Sequence, residues 1–127
     1  MSAKKKSPKT NTFIWNELVT TDDAGAKKFY TGLFGWKAAP FGKAAEGYTL
    51  FKQGEDNAGG MMKCPMPGMP AHWLPYVVVA DVDKTMAKAK KIGSKICAGP
   101  FDVPTVGRVA VIADPQGAAI GIITPKR

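Results

Sequence analysis

The sequence predicts an α+β domain made of two successive β-α-β-β-β modules. Three observations carry this expectation. The stretch Asn16–Trp36, NELVTTDDAGAKKFYTGLFGW, reads as a strand, a capped helix and the start of a second strand. Setting Trp15–Asp22 against Leu74–Asp81 pairs strand with strand and helix cap with helix cap. Setting Gly47–Met62 under Gly107–Ile122 needs no gap and lays turn over turn.

Taken in order, the chain opens on MSAKKKSPKTN, a basic, polar stretch without the apolar centre of a secretory signal. It predicts a disordered tail over 1–11, followed by a single domain over 12–127 with modules at about 13–63 and 73–124. Phe13–Val19 is the first predicted strand. Thr20, Thr21, Asp22 and Asp23 offer capping oxygens for the first-turn N–H groups of a helix over Asp23–Phe34. Ala26, Phe29, Tyr30 and Leu33 fall at i, i+3, i+4 and i+7, one apolar face, and Gly35 suits a left-handed stop. Gly25 and Gly32 each cost that helix roughly 1 kcal/mol relative to Ala, so it depends on packing against a sheet. Strands follow at Trp36–Pro40, Gly47–Gln53 and Ala58–Lys63, with Gly54–Asn57 as the intervening turn. The paired Gly59 and Gly60 either weaken the last of these or admit a close neighbour.

The connector KCPMPGMPAHW, residues Lys63–Trp73, has no usable periodicity. Leu74–Ala80 is then strongly β-branched, and Asp81 or Asp83 caps a second helix that Gly93 stops. Lys95–Ala98, Gly107–Ala113 and Ala118–Thr124 are the remaining predicted strands, with Asp114-Pro115-Gln116-Gly117 as a turn and Pro125 as the end.

Composition narrows the function classes. With 127 residues, 45% of them hydrophobic, one domain has room for a core, and no apolar run approaches the roughly 18 residues that span a bilayer. The sequence therefore predicts no membrane association and a cytoplasmic location. Cys64 and Cys97 suggest reduced thiols rather than a disulfide framework. The formal charge of +8 falls to +4 once Lys4, Lys5, Lys6 and Lys9 of the tail are set aside. Much of the rest is Lys84, Lys88, Lys90, Lys91 and Lys95, a solvated helix face. Nucleic-acid binders interleave arginines and aromatics, and Arg108 and Arg127 are the chain's two arginines, so no specific nucleic-acid partner is expected.

At WNELVTTD…FYTGLFGW in the first half, and PYVVVADVD with DPQGAAIGII in the second, the chain resembles the vicinal oxygen chelate superfamily. That superfamily includes glyoxalase I, bleomycin-resistance proteins and extradiol dioxygenases. Within it the chain is most similar to small glyoxalase/bleomycin-resistance-like proteins that open W-x-E-L-x-T-x-D. The resemblance covers Phe13–Thr124. It implies two modules curled into a half-open, barrel-like cleft, and a homodimer that covers sheet edges and apolar loops. Metal-using members take ligands from the first and fourth strands of each module, which implies Trp15, Met61, Leu74 and Gly121 here. None of these offers a suitable donor, so neither a metal nor another cofactor is expected. A count made without the family agrees: a divalent metal wants three or more convergent donors. His72 is the one histidine, and Glu17 is the one acid inside a predicted strand.

Glu17 thereby becomes the central candidate. Side chains alternate along a strand, so Trp15, Glu17 and Val19 share a face. The resemblance turns that face to the cleft, with Tyr76 as the counterpart of Glu17 in the second module. A carboxylate there needs a partner, and Arg108, Tyr48, Tyr76 and His72 are the candidates. Glu17 then either bridges strands or caps a loop, contacts a ligand, or acts as a general base. Trp15, Met61 and Met62 are core or cleft wall, Trp73 likewise, and His72 is a rim residue or a functional one. Met66–Met69 reads as a lid, a dimer contact or an ordinary loop. The expected function is metal-independent binding of a small aromatic or lipophilic molecule, with Trp15, Glu17, Tyr48, Met61, His72, Tyr76 and Arg108 as contacts. The alternatives are a lyase, isomerase or dioxygenase of glyoxalase type with Glu17 as base or residual metal ligand, and a scaffold whose own side chains fill the cleft.

Overall fold

The computed structural model describes residues 9–41, 48–64, 68–103 and 106–126. Its elements run β1 (Phe13–Thr20), α1 (Asp23–Phe34), β2 (Lys37–Pro40), β3 (Tyr48–Gln53) and β4 (Asp56–Lys63). They continue with β5 (His72–Val78), α2 (Val82–Lys91), β6 (Lys95–Val103), β7 (Gly107–Ala113) and β8 (Ala119–Pro125). This is β-α-β-β-β twice, the α+β class expected. The chain forms two compact units, Asn16–Leu74 and Pro75–Arg127 with Met1–Trp15. Among the described residues no helix is long and apolar enough to cross a membrane.

In the first unit the strands lie in the order β2-β3-β4-β1, antiparallel except for the parallel β1–β4 pair. Helix α1 has the bounds the sequence predicts because both ends are chemically marked. The Asp22 carboxylate accepts from the Gly25 N–H at 2.9 Å, and Gly35 closes the helix at φ 74°. Its apolar face is narrower than expected. Ala26 and Tyr30 pack on a core of Leu18, Phe51 and Met61, together with Trp36, Ala38 and Ala58. Phe29 and Leu33, also expected there, are 57% and 58% exposed. The i, i+4 pair Ala26 and Tyr30 faces the sheet, and the flanking positions turn outward. Tyr30 holds this side together, with ring contacts to Phe29, Phe34, Trp36, Phe51 and Trp73 at centroid separations of 4.9–6.2 Å.

The second unit has the order β5-β8-β7-β6, again with one parallel pair, β5–β8. Asp81 caps α2 by accepting from the Lys84 N–H at 3.0 Å. The core is aliphatic: Val79, Val82, Ala110 and Ile122, with Val77, Met86 and Ile112 against them. Lys88, Lys90 and Lys91 occupy the last turn, where cations complement the helix dipole.

Several boundaries differ from expectation for local reasons. The β3–β4 turn is two residues, Gly54 and Glu55, rather than four, so β4 starts at Asp56. Strand β5 starts at His72, two residues early, which moves His72 and Trp73 from the connector into a strand. Strand β6 runs on to Val103, past the expected end at Ala98, through register shifts at Ile96/Ala98 and Ala98/Phe101. At the chain start, the expected tail over 1–11 lies outside the described residues up to position 8. Asn11 within it is anchored, its N–H donating to the Val78 carbonyl at 2.7 Å. Of the Met66–Met69 segment, residues 66 and 67 lie outside the described residues.

Candidate functional site

Register decides which side chains meet. In the first unit Glu17 is level with Gly60 and Leu18 with Met61 on parallel strands, while Leu50 lies opposite Gly60 and Tyr48 opposite Met62. Paired residues share a face, so Glu17, Val19, Gly60, Met62, Leu50 and Tyr48 belong to the sheet face away from α1. Leu18, Met61 and Phe51 belong to the helix-packed face.

Glu17 is buried, 7% exposed, on an otherwise largely apolar surface. Its Oε1 accepts from the Tyr48 hydroxyl at 3.0 Å. Tyr48 stands on β3 and Glu17 on β1, with β4 between them, so the phenol has to cross a strand. It crosses at Gly60: a Cβ there would lie 2.6 Å from Tyr48 Cζ and 2.7 Å from Cε1. The close neighbour that Gly59-Gly60 was expected to admit is therefore the Tyr48 ring. In the second unit the same device recurs with a different occupant. Tyr76 is level with Gly121, and a Cβ on Gly121 would lie 2.5 Å from Tyr76 Cδ2 and Cε2. Tyr76 is likewise buried at 7% exposure.

Two expected contacts are corrected. Met61 is not on the Glu17 face; it is 1% exposed inside the α1-side core. The ungapped overlay of the two halves placed it level with Gly121. The structure puts Gly60 there, because a register shift at Phe51/Lys52 and hairpin loops of unequal length make the halves differ by a residue. Arg108 is not the partner of Glu17. Its Nε and Nη2 bind the Asp83 carboxylate at 3.0 and 3.1 Å, and Nη1 binds Asp102 at 2.9 Å. The hydrogen bond to Asp83, then that to Asp102, raises its pKa above the ordinary guanidinium value. Asp83, one of two candidate caps, is thus free of capping and used in this ion pair.

The other candidates take the following places. His72 is half-buried, with Nδ1 2.9 Å from the Pro70 carbonyl, which fits an Nδ1–H tautomer. Trp15 is half-buried. Trp73 donates its indole N–H to the Tyr30 hydroxyl at 3.2 Å, so it belongs to the aromatic cluster over α1. Two shallow cavities lie among the described residues, one in each unit. One, ≈ 240 Å³, is lined by residues including Asp23, Lys27, Pro40 and Tyr48. The other, ≈ 460 Å³, is lined by residues including Asp102, Gly107, Arg108 and Lys126.

The profile of the Glyoxalase/Bleomycin resistance protein/Dioxygenase superfamily matches residues 12–122. The chain belongs to this superfamily. It is similar to the Mycobacterium tuberculosis protein named "Putative glyoxylase CFP32", at 44% identity over 117 residues, covering 91% of this chain and 45% of that protein. It is also similar to the anthracycline biosynthesis protein DnrV of Streptomyces peucetius, at 32% identity over 123 residues, covering 85% of this chain and 45% of that protein. The chain thus spans about half the length of these curated relatives. In fold it is similar to an extradiol ring-cleaving dioxygenase from Brevibacterium fuscum, with a TM-score of 0.64 at 20% identity, over 94% of this chain and 34% of that one.

The residues at the positions implied for a superfamily metal do not fit one. Met61 is sealed in a core, Leu74 is buried and carries no donor, and Gly121 lies beneath a tyrosine ring. Among the described residues no three His, Cys, Asp or Glu side chains converge. On the Glu17 face a buried carboxyl accepts a hydrogen bond from a phenol.

Proposed function

We propose that this chain binds a small aromatic or lipophilic molecule on the Glu17-bearing face of its first module, without the superfamily's metal. The observation that carries the reading is the buried Glu17 carboxyl, held by Tyr48 on an apolar sheet face. An apolar surface with a few oriented polar groups is the usual makeup of a small-molecule site. Similarity to a protein of anthracycline biosynthesis adds support for a polycyclic aromatic ligand. The test is a thermal-shift screen of aromatic and lipophilic compounds that includes an anthracycline, run beside metal analysis after incubation with Zn, Ni, Mn and Fe(II). The expected result is a ligand-dependent rise in Tm that Glu17→Ala abolishes, with metal at background. Near-stoichiometric metal that Glu17→Ala removes would overturn it.

A second reading is an enzyme of lyase, isomerase or dioxygenase type in which Glu17 is a general base. The Glu17–Tyr48 hydrogen bond favours it, since a carboxyl and a phenol in contact can exchange a proton with a bound substrate. Glu17→Gln separates the two readings: turnover lost with affinity retained means catalysis.

A further inference from the structure

We propose that helix α2 carries a docking surface for an acidic polypeptide. Lys84, Lys88 and Lys91 receive its carboxylates, and Ile92 at the helix end receives an apolar side chain beside them. This surface is independent of the small-molecule reading.

Helical spacing sets the geometry. Lys84, Lys88 and Lys91 stand at i, i+4 and i+7, which lines them along one face of α2 over roughly 10 Å. All three are exposed, as are the neighbouring Lys90 and Lys95. On the opposite side of the helix Val82 and Met86 pack into the aliphatic core, and Ala89 is buried. None of these lysines forms an ion pair with a described residue; the ion pairs there are those of Arg108. The acids at the start of the helix are already engaged, Asp81 in capping and Asp83 with Arg108.

The stability of the helix does not account for this face. The dipole favours cations in the last turn, yet Lys84 lies in the first turn, where a cation opposes it. Lys84 with Lys88, and Lys88 with Lys91, are like-charge pairs at i, i+4 and i, i+3, and such pairs weaken a helix. Local rules broken without internal compensation are characteristic of functional surfaces. Ile92 departs in the same way: it is 71% exposed at the C-cap, four residues on from Lys88.

Charge complementarity requires an anionic partner. A helix that binds a membrane surface lays its apolar face into the lipid, whereas α2 packs that face against its own core. Surfaces for nucleic acid interleave arginines and aromatics, and this face has neither. A polypeptide with carboxylates about one helical turn apart, and an apolar side chain next to them, matches both the lysine spacing and Ile92.

Fluorescence anisotropy with a fluorescein-labelled Glu-Glu-Leu repeat peptide reads this surface directly. Wild type should bind with an affinity that falls as salt is added. K84Q/K88Q/K91Q should weaken binding roughly tenfold or more. K28Q/K37Q/K63Q removes the same charge from exposed lysines of the first module and should leave binding within about twofold of wild type. I92S should weaken it roughly threefold. Because glutamine relieves the like-charge repulsion, K84Q/K88Q/K91Q should unfold in urea no earlier than wild type, which separates lost recognition from lost structure. Equal losses in the two triple variants, no binding by wild type, or unchanged binding in I92S overturns the surface. Phosphatidylserine vesicles or single-stranded DNA bound more tightly than the peptide, and lost in K84Q/K88Q/K91Q, overturns the partner class.

Discussion

The two modules share an order of elements and diverge in what they build on it. The first packs an aromatic core, Tyr30 and Phe51 with Trp36, under a helix that buries no residue fully. The second packs valines, isoleucine and alanine under a helix that buries Val82 and Ala89. At corresponding places on the opposite sheet faces, the first carries a carboxyl and the second a tyrosine ring, each beside a glycine. One backbone plan thus accommodates a polar anchor in one copy and an apolar cover in the other. The residue opposite the glycine sets the difference.

That contrast can be tested at three depths. The largest effect belongs to the cores. Phe51→Ala should cost about 3–5 kcal/mol, the usual penalty for emptying a fully buried aromatic site. Val82→Ala, removing two buried carbons, should cost roughly 1.5 kcal/mol. Urea unfolding of both variants measures this, and equal losses would remove the distinction between an aromatic and an aliphatic core. Next come the sheet faces. Tyr48→Phe should destabilise by about 1–3 kcal/mol by withdrawing a donor from a buried acceptor. Gly121→Ala should cost about 1–3 kcal/mol for a different reason, a methyl driven into the flank of the Tyr76 ring. A double-mutant cycle with Glu17→Gln tells them apart: Tyr48→Phe should couple to it, and Gly121→Ala should add independently. The smallest effect is at Arg108. Its pairs are partly exposed, with side-chain exposures of 35% for Arg108, 58% for Asp83 and 80% for Asp102. Arg108→Lys should therefore change the urea midpoint least of these variants, by an amount that shrinks with added salt.

How much of this the sequence discloses depends on whether the signal is local. Helix α1 was legible to the residue because Asp22 and Gly35 mark its ends by their own chemistry. Glu17 stood out as the one acid within a strand, and Tyr48 was among its four candidate partners. The site's geometry was less legible because it depends on register. A shift between Phe51 and Lys52 moves β4 by one residue, enough to turn Met61 into the core and bring Gly60 to the site face. The carboxylates that Arg108 binds were hidden for a related reason: Asp83 reads as a helix cap and Asp102 as a loop acid until the fold brings both to one guanidinium. Strand β6 outran its expected end because bulges carry it past a Gly-Pro pair that normally stops a strand.

The backbone groups of Asn11 and Thr12 that pair with Val78 have a consequence for dissecting this molecule. Strand β1 begins in the compact unit of the second module and finishes in that of the first, so the module boundary in the sequence is not the boundary of either unit. Severing the chain between Leu74 and Pro75 would leave the downstream fragment with the Val78 N–H and C=O stripped of their partners, an open strand edge of the kind that recruits other chains. Rejoining residues 1–15 to the far end, as in a circular permutant, would restore that edge. The two copies of the motif are duplicated in pattern and yet interleaved in chain, and each half depends on a segment that a cut by homology would assign to the other.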